Sequence, residues 1–426
     1  AALGAHTPHD KATAASKPIP MPLPAQVRIL MSQHIGAPAK ALVKKGDEVF
    51  VGTKIGEAGG FVSANIHSSV SGTVAAVEPF RLSNGRMCDS VVIKTDGKQT
   101  VDPAVKAPEV TDKASFLKAV RECGLVGLGG AGFPTDVKLQ PKQQVDTLLI
   151  NASECEVWLT SDTQEMLNCS DDIIRGIEAV LKYVGIPKCV IGIENNKPEA
   201  IKKLTEMVKD EPRIEVCPLL TKYPQGGERQ LIYAVTGRAI NSKMLPADAG
   251  CIVDNISTVI AIYRAVCKQT PLITRVMTLT GDAFNTPVNV NVRIGCNHAD
   301  LVAEGEGFKQ DPAKIISGGP MMGFAMFDLN VPVTKTSSSI LALTKDEVAE
   351  NEPSPCIRCG RCVQACPGNL VPQKMAQAAM HNDYDTFVKL NGMECYECGS
   401  CTYVCPAKRP LTQTFKQARQ YVAAQR

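Results

Sequence analysis

The segments CIRCGRCVQACP (residues 356–367) and CYECGSCTYVCP (residues 395–406) repeat one pattern, C-x2-C-x2-C-x3-C-P. Three thiolates spaced in this way can hold three corners of an iron–sulfur cube, and the fourth cysteine, carried onward by its proline, reaches the other cube. The repeat therefore predicts two [4Fe–4S] clusters in a helical domain over residues 345–426. A zinc site or a single degraded site is the less specific alternative.

This exchange of fourth cysteines defines two ligand sets. The first cluster is predicted on Cys356, Cys359, Cys362 and Cys405, and the second on Cys395, Cys398, Cys401 and Cys366. Clusters held in this way have little substrate chemistry of their own, and shared ligand loops place them close enough for electrons to pass between them. Another part of the chain must therefore load or unload this electron path.

The composition limits the class of protein. The chain has 426 residues, enough for several domains of about 100–200 residues each. Hydrophobic residues make up 44% and charged residues 21%, so a disordered or fibrous chain is excluded. A net charge of +3 without a basic run gives no indication of nucleic-acid binding.

The cysteine usage and the apolar segments bear on location. The 17 cysteines cannot all pair, and their scatter resembles no disulfide framework. No stretch approaches the ~18 uninterrupted apolar residues of a membrane helix, and no secretory signal is visible at the N-terminus. We therefore expect a protein of the cytoplasm without a membrane span of its own.

The first hundred residues predict an arm and an all-β domain. Prolines at every second position from Pro18 to Pro24 favour an extended arm over residues 1–25. Short β-branched runs over residues 26–100 predict a small sandwich or barrel. Within them, residues 44–56 and 66–78 resemble the barrel-sandwich fold of lipoyl and biotinyl carriers. No lysine stands at the turn from Phe61 to Ile66, so we expect a structural domain without a swinging arm.

Residues 110–268 alternate helical and strand patterns, which predicts a Rossmann-like domain with a largely parallel sheet. Residues 269–335 return to short strands and glycine turns. There, Met321-Met322 follow Gly318-Gly319-Pro320, and core packing is the preferred interpretation over a place between cofactors. The predicted fold class is thus multidomain, α/β plus all-β.

GLVGLGGAGFPT (residues 124–135) satisfies G-x-G-x-x-G, but a dinucleotide fingerprint needs a strand before it, and a helical pattern stands there. Taken alone, this pattern is compatible with two interpretations: a loop that binds a phosphate or a flavin, and a structural turn. Two further segments favour binding. NASECE (residues 151–156) follows a predicted strand directly, where open α/β sheets bind ligands. YPQGGERQ (residues 223–230) joins two glycines to a helix start.

These segments, together with VDNIST (residues 253–258), resemble the flavin-carrying subunit of respiratory complex I and still more the RnfC family, the NADH-binding subunits of the Rnf membrane complex. GAHTPHDK (residues 4–11) and SQHIGAPA (residues 32–39) extend the resemblance over nearly the whole chain. It implies FMN in the Rossmann-like domain, NADH as substrate and a β-grasp-like (SLBB) domain over residues 269–335.

The resemblance also assigns site residues. Those matching the family's flavin positions are Gly127, Gly129, Gly130, Lys138, Asn151, Glu154, Tyr223, Gly226 and Asn255. Glu156 and Glu228 match acids that face the nucleotide, and Phe133 matches an aromatic on which it stacks. Each glutamate could instead be a surface or helix-cap residue. Val157-Trp158 and Asp254 depart from the family pattern, and no catalytic acid or base is expected because the flavin carries the hydride chemistry.

Membership of this family would imply a peripheral subunit on the cytoplasmic side of the membrane. Electrons would pass between NADH, FMN and two [4Fe–4S] clusters in an ion-translocating ferredoxin:NAD oxidoreductase. Its partners would be the other Rnf subunits and, indirectly, ferredoxin. Two alternatives stay open: a related cobalamin reductase, against which the N-terminal position of the barrel-sandwich domain argues, and an electron-transfer protein that has lost its flavin.

Overall fold

A computed structural model of the chain describes residues 4–82 and 85–425. Residues 1–3 of the predicted arm and residues 83–84 of the predicted barrel-sandwich segment therefore lie outside the described residues. No helix in the described ranges combines the length and the apolar character needed to cross a membrane.

The N-terminal arm lies on two later parts of the chain. Its short strand β1 (Ile19–Pro20) pairs in parallel with residues 290–291. Asn289 Nδ2 donates to the carbonyl oxygens of Thr13 and Ser16 at 3.0 and 2.9 Å. Because a proline-spaced segment cannot form a helix, its main-chain groups stay free to pair with other elements.

The next domain is built from two antiparallel sheets, with strand orders β2-β8-β7-β4 and β3-β5-β6. Its strands are β2 (Gln26–Leu30), β3 (Lys40–Ala41), β4 (Glu48–Val49), β5 (Lys54–Glu57), β6 (Ile66–His67), β7 (Gly72–Arg81) and β8 (Met87–Thr95). Side chains alternate across a strand, so Val27 and Ile29 of β2 both point into the core. This core continues into the later β-rich part through Met277 and Leu279.

The α/β domain follows. Its elements are α1 (Lys113–Glu122), α2 (Thr135–Lys138), β9 (Thr147–Ala152), α3 (Ser161–Asn168), α4 (Ser170–Val184), β10 (Lys188–Glu194), α5 (Pro198–Val208), β11 (Ile214–Leu219), α6 (Glu228–Thr236), β12 (Cys251–Asn255) and α7 (Ile256–Lys268). All strands are parallel, in the order β11-β10-β9-β12, as the alternating pattern predicts. Gly176 of α4 lets that helix approach α7, because a Cβ there would lie 2.1 Å from the Val259 carbonyl oxygen. The carboxyl ends of all strands consequently form one edge of the sheet.

A mixed six-stranded sheet comes next, with strand order β1-β14-β13-β17-β15-β16. Besides the strand of the arm it contains β13 (Thr274–Thr280), β14 (Val288–Arg293), β15 (Lys314–Ser317), β16 (Phe324–Ala325) and β17 (Ser339–Leu343), with α8 (His298–Leu301) after β14. Residues 318–323 connect β15 to β16, and we name them the GGPMMG loop. Because β17 lies in the middle of this sheet, the sheet extends past residue 335.

The cysteine-rich domain is helical. It contains α9 (Glu347–Glu350), α10 (Arg361–Gln364), α11 (Pro372–Met380), α12 (Tyr384–Lys389), α13 (Ser400–Tyr403) and α14 (Leu411–Ala424). The short helices α10 and α13 occupy equivalent places in the two cysteine repeats, each after a left-handed glycine, Gly360 or Gly399. Met375, Phe387 and Phe415 form the centre of a small core.

Candidate functional site

A cavity of about 790 Å³ opens at the carboxyl edge of the parallel sheet. Strands β9 and β12 end there with Asn151 and Asn255, as expected for a ligand site of an open α/β sheet. The predicted residues that line this cavity are Gly129, Gly130, Asn151, Glu154, Glu156, Tyr223, Gly226, Glu228 and Asn255. The structure thus brings together three loops that are far apart in the sequence.

Three predicted residues, Gly127, Phe133 and Lys138, lie outside the lining of this cavity. The Gly127 N–H donates to the Phe133 carbonyl oxygen at 2.8 Å, which closes the glycine loop on itself. Lys138 Nζ donates to Asp254 Oδ1 at 3.1 Å. Asp254, which departs from the family pattern, is buried and thus supplies the counter-ion of Lys138. In this arrangement the three residues support the glycine loop, and direct ligand roles for them stay predictions.

The glycine loop packs against the start of α7. A Cβ on Gly129 would lie 2.8 Å from Asn255 Cβ, so this approach requires glycine. Asn255 caps the helix, since its Oδ1 accepts from the Ser257 N–H at 2.9 Å. The first turn of a helix leaves main-chain N–H groups without intrahelical partners and favours anions. This corner of the cavity therefore suits a phosphate group.

Glu154 caps a helix, which is the alternative role that the sequence analysis left open for it. Its carboxylate accepts from the main-chain N–H groups of Asp162 and Thr163 at 2.7 and 3.2 Å, in the first turn of α3. Its backbone adopts a left-handed conformation with φ of 46°. Glu154 also lines the cavity, so the cap fixes a carboxylate at the wall of the site.

The carboxylate of Glu156 lies in the cavity but is bound by protein. It accepts from the main-chain N–H groups of Met321 and Met322 at 3.2 and 2.8 Å. Gly319 makes this contact possible, because a Cβ there would lie 2.3 Å from Glu156 Oε2. Burial raises the pKa of Glu156 to about 7. Glu156 therefore holds the GGPMMG loop against the cavity.

Met321 and Met322 do not pack in a core, so the preferred sequence interpretation was wrong for them. Met322 is 60% exposed and lines the cavity. The Met321 carbonyl oxygen lies 3.1 Å from the position of a Cβ on Gly399, in the second cysteine repeat. The GGPMMG loop, held through its main chain by Glu156, thus keeps apolar side chains at the surface of the site.

Tyr223 lines the cavity and has a buried, unpaired hydroxyl. Its main chain pairs with Ala5 of the arm through two hydrogen bonds of 2.7 and 3.0 Å. Its hydroxyl is buried and has no hydrogen-bond partner among the described residues, and burial raises its pKa. An unpaired buried hydroxyl is unfavourable, so a bound group is expected to meet it. Glu228, by contrast, is exposed in the first turn of α6.

Sequence reasoning missed several charged residues at the site. Lys11 of the arm donates through Nζ to the carbonyl oxygens of Glu154 and Glu156 at 3.0 and 2.8 Å. Arg275 of β13 is 5% exposed. Burial raises the pKa of Glu165, and the positive charge of Arg275 acts in the opposite direction by stabilising the Glu165 carboxylate. Lys11 ends the segment GAHTPHDK, which the sequence analysis used only for the family resemblance, and Arg275 stands in no motif, so no local pattern assigned either residue to the site.

The structure gathers each predicted cysteine set around its own cavity. Cys356, Cys359, Cys362 and Cys405 line one small cavity. Cys366, Cys395, Cys398 and Cys401 line another. In the described part of the chain, no three His, Cys, Asp or Glu side chains are grouped for a single metal ion. Four thiols around a cavity are the donor set that a [4Fe–4S] cluster requires.

The second cysteine set adjoins the large cavity. Cys395 and Cys398 line both the cysteine cavity and the cavity at the sheet edge. The Arg229 guanidinium lies 4.8 Å from the centre of the Tyr396 ring and pairs with Glu394 at 3.1 Å. These contacts hold the second repeat against α6. A cofactor in the large cavity would therefore be next to the second cluster.

Fold and site together define a class: an oxidoreductase subunit with barrel-sandwich, flavin-binding and dicluster domains. Family models agree with each part. The Nuo51 FMN-binding domain matches residues 120–264, the RnfC barrel sandwich hybrid domain residues 2–98, and a 4Fe-4S dicluster domain residues 349–421. These matches confirm the coarse fold class, and none of them covers the predicted β-grasp-like segment.

Curated relatives identify the family. The chain is 44% identical to the C subunit of the Na(+)-translocating ferredoxin:NAD(+) oxidoreductase complex of Acetobacterium woodii, over 99% of this chain and 97% of that protein. It is 43% identical to the C subunit of the proton-translocating complex of Clostridium ljungdahlii, over 88% and 83%. The chain therefore belongs to the RnfC family.

A solved structure has a similar fold over much of this chain. An NAD+-reducing [NiFe]-hydrogenase in the H2-reduced state superposes with a TM-score of 0.54 at 18% identity, over 73% of this chain and 63% of that one. At this identity the likeness concerns the fold alone.

Proposed function

We propose that this chain is the NADH-binding, electron-entry subunit of an ion-translocating ferredoxin:NAD oxidoreductase of the Rnf type. The observation that carries the proposal is the continuity of two cavities. Cys395 and Cys398 belong both to the wall of the large cavity and to the second cysteine set. A hydride-accepting cofactor and a one-electron centre would thus be neighbours.

The large cavity fits FMN in its chemistry. The start of α7, with Gly129 packed on Asn255, offers main-chain donors for a phosphate. A Cβ on Gly130 would have no neighbour within 4 Å, so the loop leaves open space there. Tyr223 lines the cavity, and its buried hydroxyl is a polar group without a partner among the described residues. When bound, FMN supplies a group that takes two electrons as a hydride and returns them one at a time.

The chain's own residues would position the reactants and exclude water. Lys11 ties the arm over the loop that carries Glu154 and Glu156, and Glu156 holds the GGPMMG loop at the cavity wall. Hydride transfer needs closeness and orientation and no general acid. The predicted roles of Glu156 and Glu228 toward the nucleotide would then depend on how the GGPMMG loop responds to it.

The cysteine sets would hold two [4Fe–4S] clusters and connect the site to partner subunits. We assign the set of Cys366, Cys395, Cys398 and Cys401 to the cluster beside the large cavity and the other set to the outer cluster. The names of the relatives denote subunits of multi-subunit ion-translocating complexes. We propose that this chain joins other Rnf subunits as a peripheral subunit on the cytoplasmic side of the membrane, and we assign the mixed sheet, which begins in residues 269–335 and ends with β17, to a β-grasp-like domain.

Cofactor analysis of anaerobically purified protein tests the proposal. Two clusters and one flavin require about eight iron, about eight acid-labile sulfide and about one FMN per chain. NADH should bleach the flavin absorbance and then that of the clusters. Zinc in place of iron would reject the cluster assignment. A yellow protein that NADH does not bleach would reject the nucleotide site.

A further inference from the structure

The first cysteine set lies in a segment with an uneven charge distribution. Residues 353–382 and 398–425 contain its four cysteines and have no Asp or Glu, and the exposed Glu350 and Glu352 stand just before the first of these ranges. Five exposed cations lie within these segments: Arg358, Arg361, Lys374, Lys408 and Lys416. The first four lie within one position of residues that line the cavity of the first cysteine set, and we name them the basic collar. No carboxylate of the described residues forms an ion pair with any of them. The collar cations therefore stand without an ion-paired carboxylate among the described residues.

The cysteines at the centre of this surface are accessible. Cys356 and Cys359 are exposed, and Ile357 between them is 67% exposed. Arg358 lies in the same loop and lines the cysteine cavity, and Lys374 follows Gln373, which lines it too. An exposed apolar side chain surrounded by like charges is the arrangement found at protein interfaces, with an apolar centre and a polar rim.

We propose that this face of the cysteine-rich domain is the docking site of an acidic electron-carrier protein or subunit, whose own one-electron centre exchanges electrons with the first cluster. The proposal rests on the proposed function, because it requires a cluster in the first cysteine set. One electron crosses between the two centres in each encounter, and no covalent bond forms or breaks. Positive charge around the exit point steers a negatively charged partner and sets its orientation.

Two alternative roles of the collar predict different behaviour. The cations could serve only to offset the negative charge of the cluster and its thiolates, but this would not require Ile357 to be exposed. An anionic membrane would also be attracted, but a lipid surface offers no electron acceptor to Cys356 and Cys359. The combination of accessible ligands, an apolar centre and a basic rim favours a redox protein.

The test measures binding by the full-length, cluster-loaded protein. The probes are an acidic plant-type [2Fe–2S] ferredoxin and, as a probe of opposite charge, a basic cytochrome c, in calorimetric titrations at about 0.01 and about 0.15 M ionic strength. The variant K374E/K408E changes collar residues outside both cysteine repeats. The matched control K118E/K202E makes the same charge change at exposed positions of α1 and α5.

We expect the acidic probe to bind and the basic probe not to bind. K374E/K408E should weaken binding of the acidic probe at least about tenfold at low ionic strength, and K118E/K202E should leave it within about twofold. I357Q, which keeps every charge, should weaken it several-fold. Iron content and the EPR spectrum of the reduced clusters should match the parent in all variants.

Three results would overturn the proposal. The first is equal binding of both probes, or equal weakening by the collar and control variants. The second is a shift of the cluster reduction potential in K374E/K408E with unchanged binding, which would assign the collar to the cluster itself. The third is collar-dependent binding to phosphatidylglycerol vesicles but not to ferredoxin. Failure of the proposed function would be recognised separately, by missing iron or flavin in the parent protein.

Discussion

The two cysteine repeats have the same spacing but lie in opposite surroundings. The set that includes Cys398 and Cys401 is largely buried and adjoins the large cavity. The acids near it are paired, since Glu394 binds Arg229 and Glu397 binds Arg419. The set that includes Cys356 and Cys359 is exposed and has an unpaired basic rim. Under the proposed function, identical motifs would thus form an inner and an outer end of one electron path, and the surrounding residues would distinguish the two ends.

The largest effect is expected where the two sets exchange a ligand. Cys366 belongs to the first repeat by sequence but lines the cavity of the second set. Replacing it by serine should destroy the inner cluster and spare the outer one, with a loss of about four iron per chain. EPR of the reduced variant and iron analysis measure this.

The exposed Cys267, which belongs to neither set, provides the control. C267S should keep all the iron and both cluster signals. Loss of the outer cluster in C366S, with the inner one intact, would contradict the exchange and reverse the assignment of the two ends.

A second prediction concerns the junction of the inner cluster with the α/β domain. Arg229 combines an ion pair with a contact to the Tyr396 ring, together contributing roughly 1–2 kcal/mol. R229A should leave flavin bleaching by NADH unchanged and slow the later reduction of the clusters, by up to about tenfold. Stopped-flow absorbance separates the two phases.

The matched variant R213A removes an arginine that is ion-paired with Glu211 elsewhere on the domain, and both phases should stay as in the parent. If R229A slows the bleaching of the flavin instead, Arg229 acts at the nucleotide and not at the junction.

The parts of this comparison that depend on local patterns were predictable from sequence. Parallel strands β9–β12 and the helix closed by Gly185 follow from periodicity and from glycine at a left-handed position. The cysteine spacing predicted two sets whose members line two separate cavities, and cluster binding by these sets stays a prediction. By contrast, the burial of one set and the exposure of the other depend on tertiary packing, on which the spacing of the cysteines carries no information.

The same reason explains what was missed at the large cavity. The contact of Glu156 with the GGPMMG loop joins residues 165 and 166 positions apart, and that of Lys11 with the same acidic loop is of similar range. Such contacts depend on how finished domains meet. The sequence identified Glu156 as a site residue through resemblance, but its hydrogen-bond partners became visible only in the folded chain.

A third prediction therefore concerns Glu156. Its two carboxyl oxygens each accept one main-chain hydrogen bond. In E156Q one of these oxygens becomes an amide NH2 group that cannot accept, so the hold on the GGPMMG loop should weaken by about 1 kcal/mol, the scale of one hydrogen bond. The Michaelis constant for NADH should rise, while the FMN content stays near that of the parent. Steady-state rates with an artificial acceptor, together with extracted flavin, measure both effects.

The pH dependence sharpens this prediction. Burial raises the pKa of Glu156 from 4.5 to about 7, so the folded protein holds this proton more tightly than the unfolded chain. The contribution of Glu156 to stability is therefore full below about pH 4.5 and is lost as the pH rises through about 7. In urea unfolding at several pH values, the free energy of unfolding should fall less steeply with rising pH in E156Q than in the parent. E215Q, at an exposed position of β11, should keep the parent's slope.

The smallest effect is expected at Tyr223. Its hydroxyl is buried without a partner among the described residues, whereas the rest of the residue is fixed by the arm, so Y223F changes one polar atom and little else. In flavin-free protein the variant should be as stable as the parent or slightly more stable, because an unsatisfied group is removed. In the presence of FMN it should bind the flavin about fivefold more weakly, since a neutral hydrogen bond is worth about 1 kcal/mol. Flavin titration by fluorescence quenching decides the matter: weaker binding with unchanged stability assigns the hydroxyl to the cofactor, and equal binding assigns it to the nucleotide or to water.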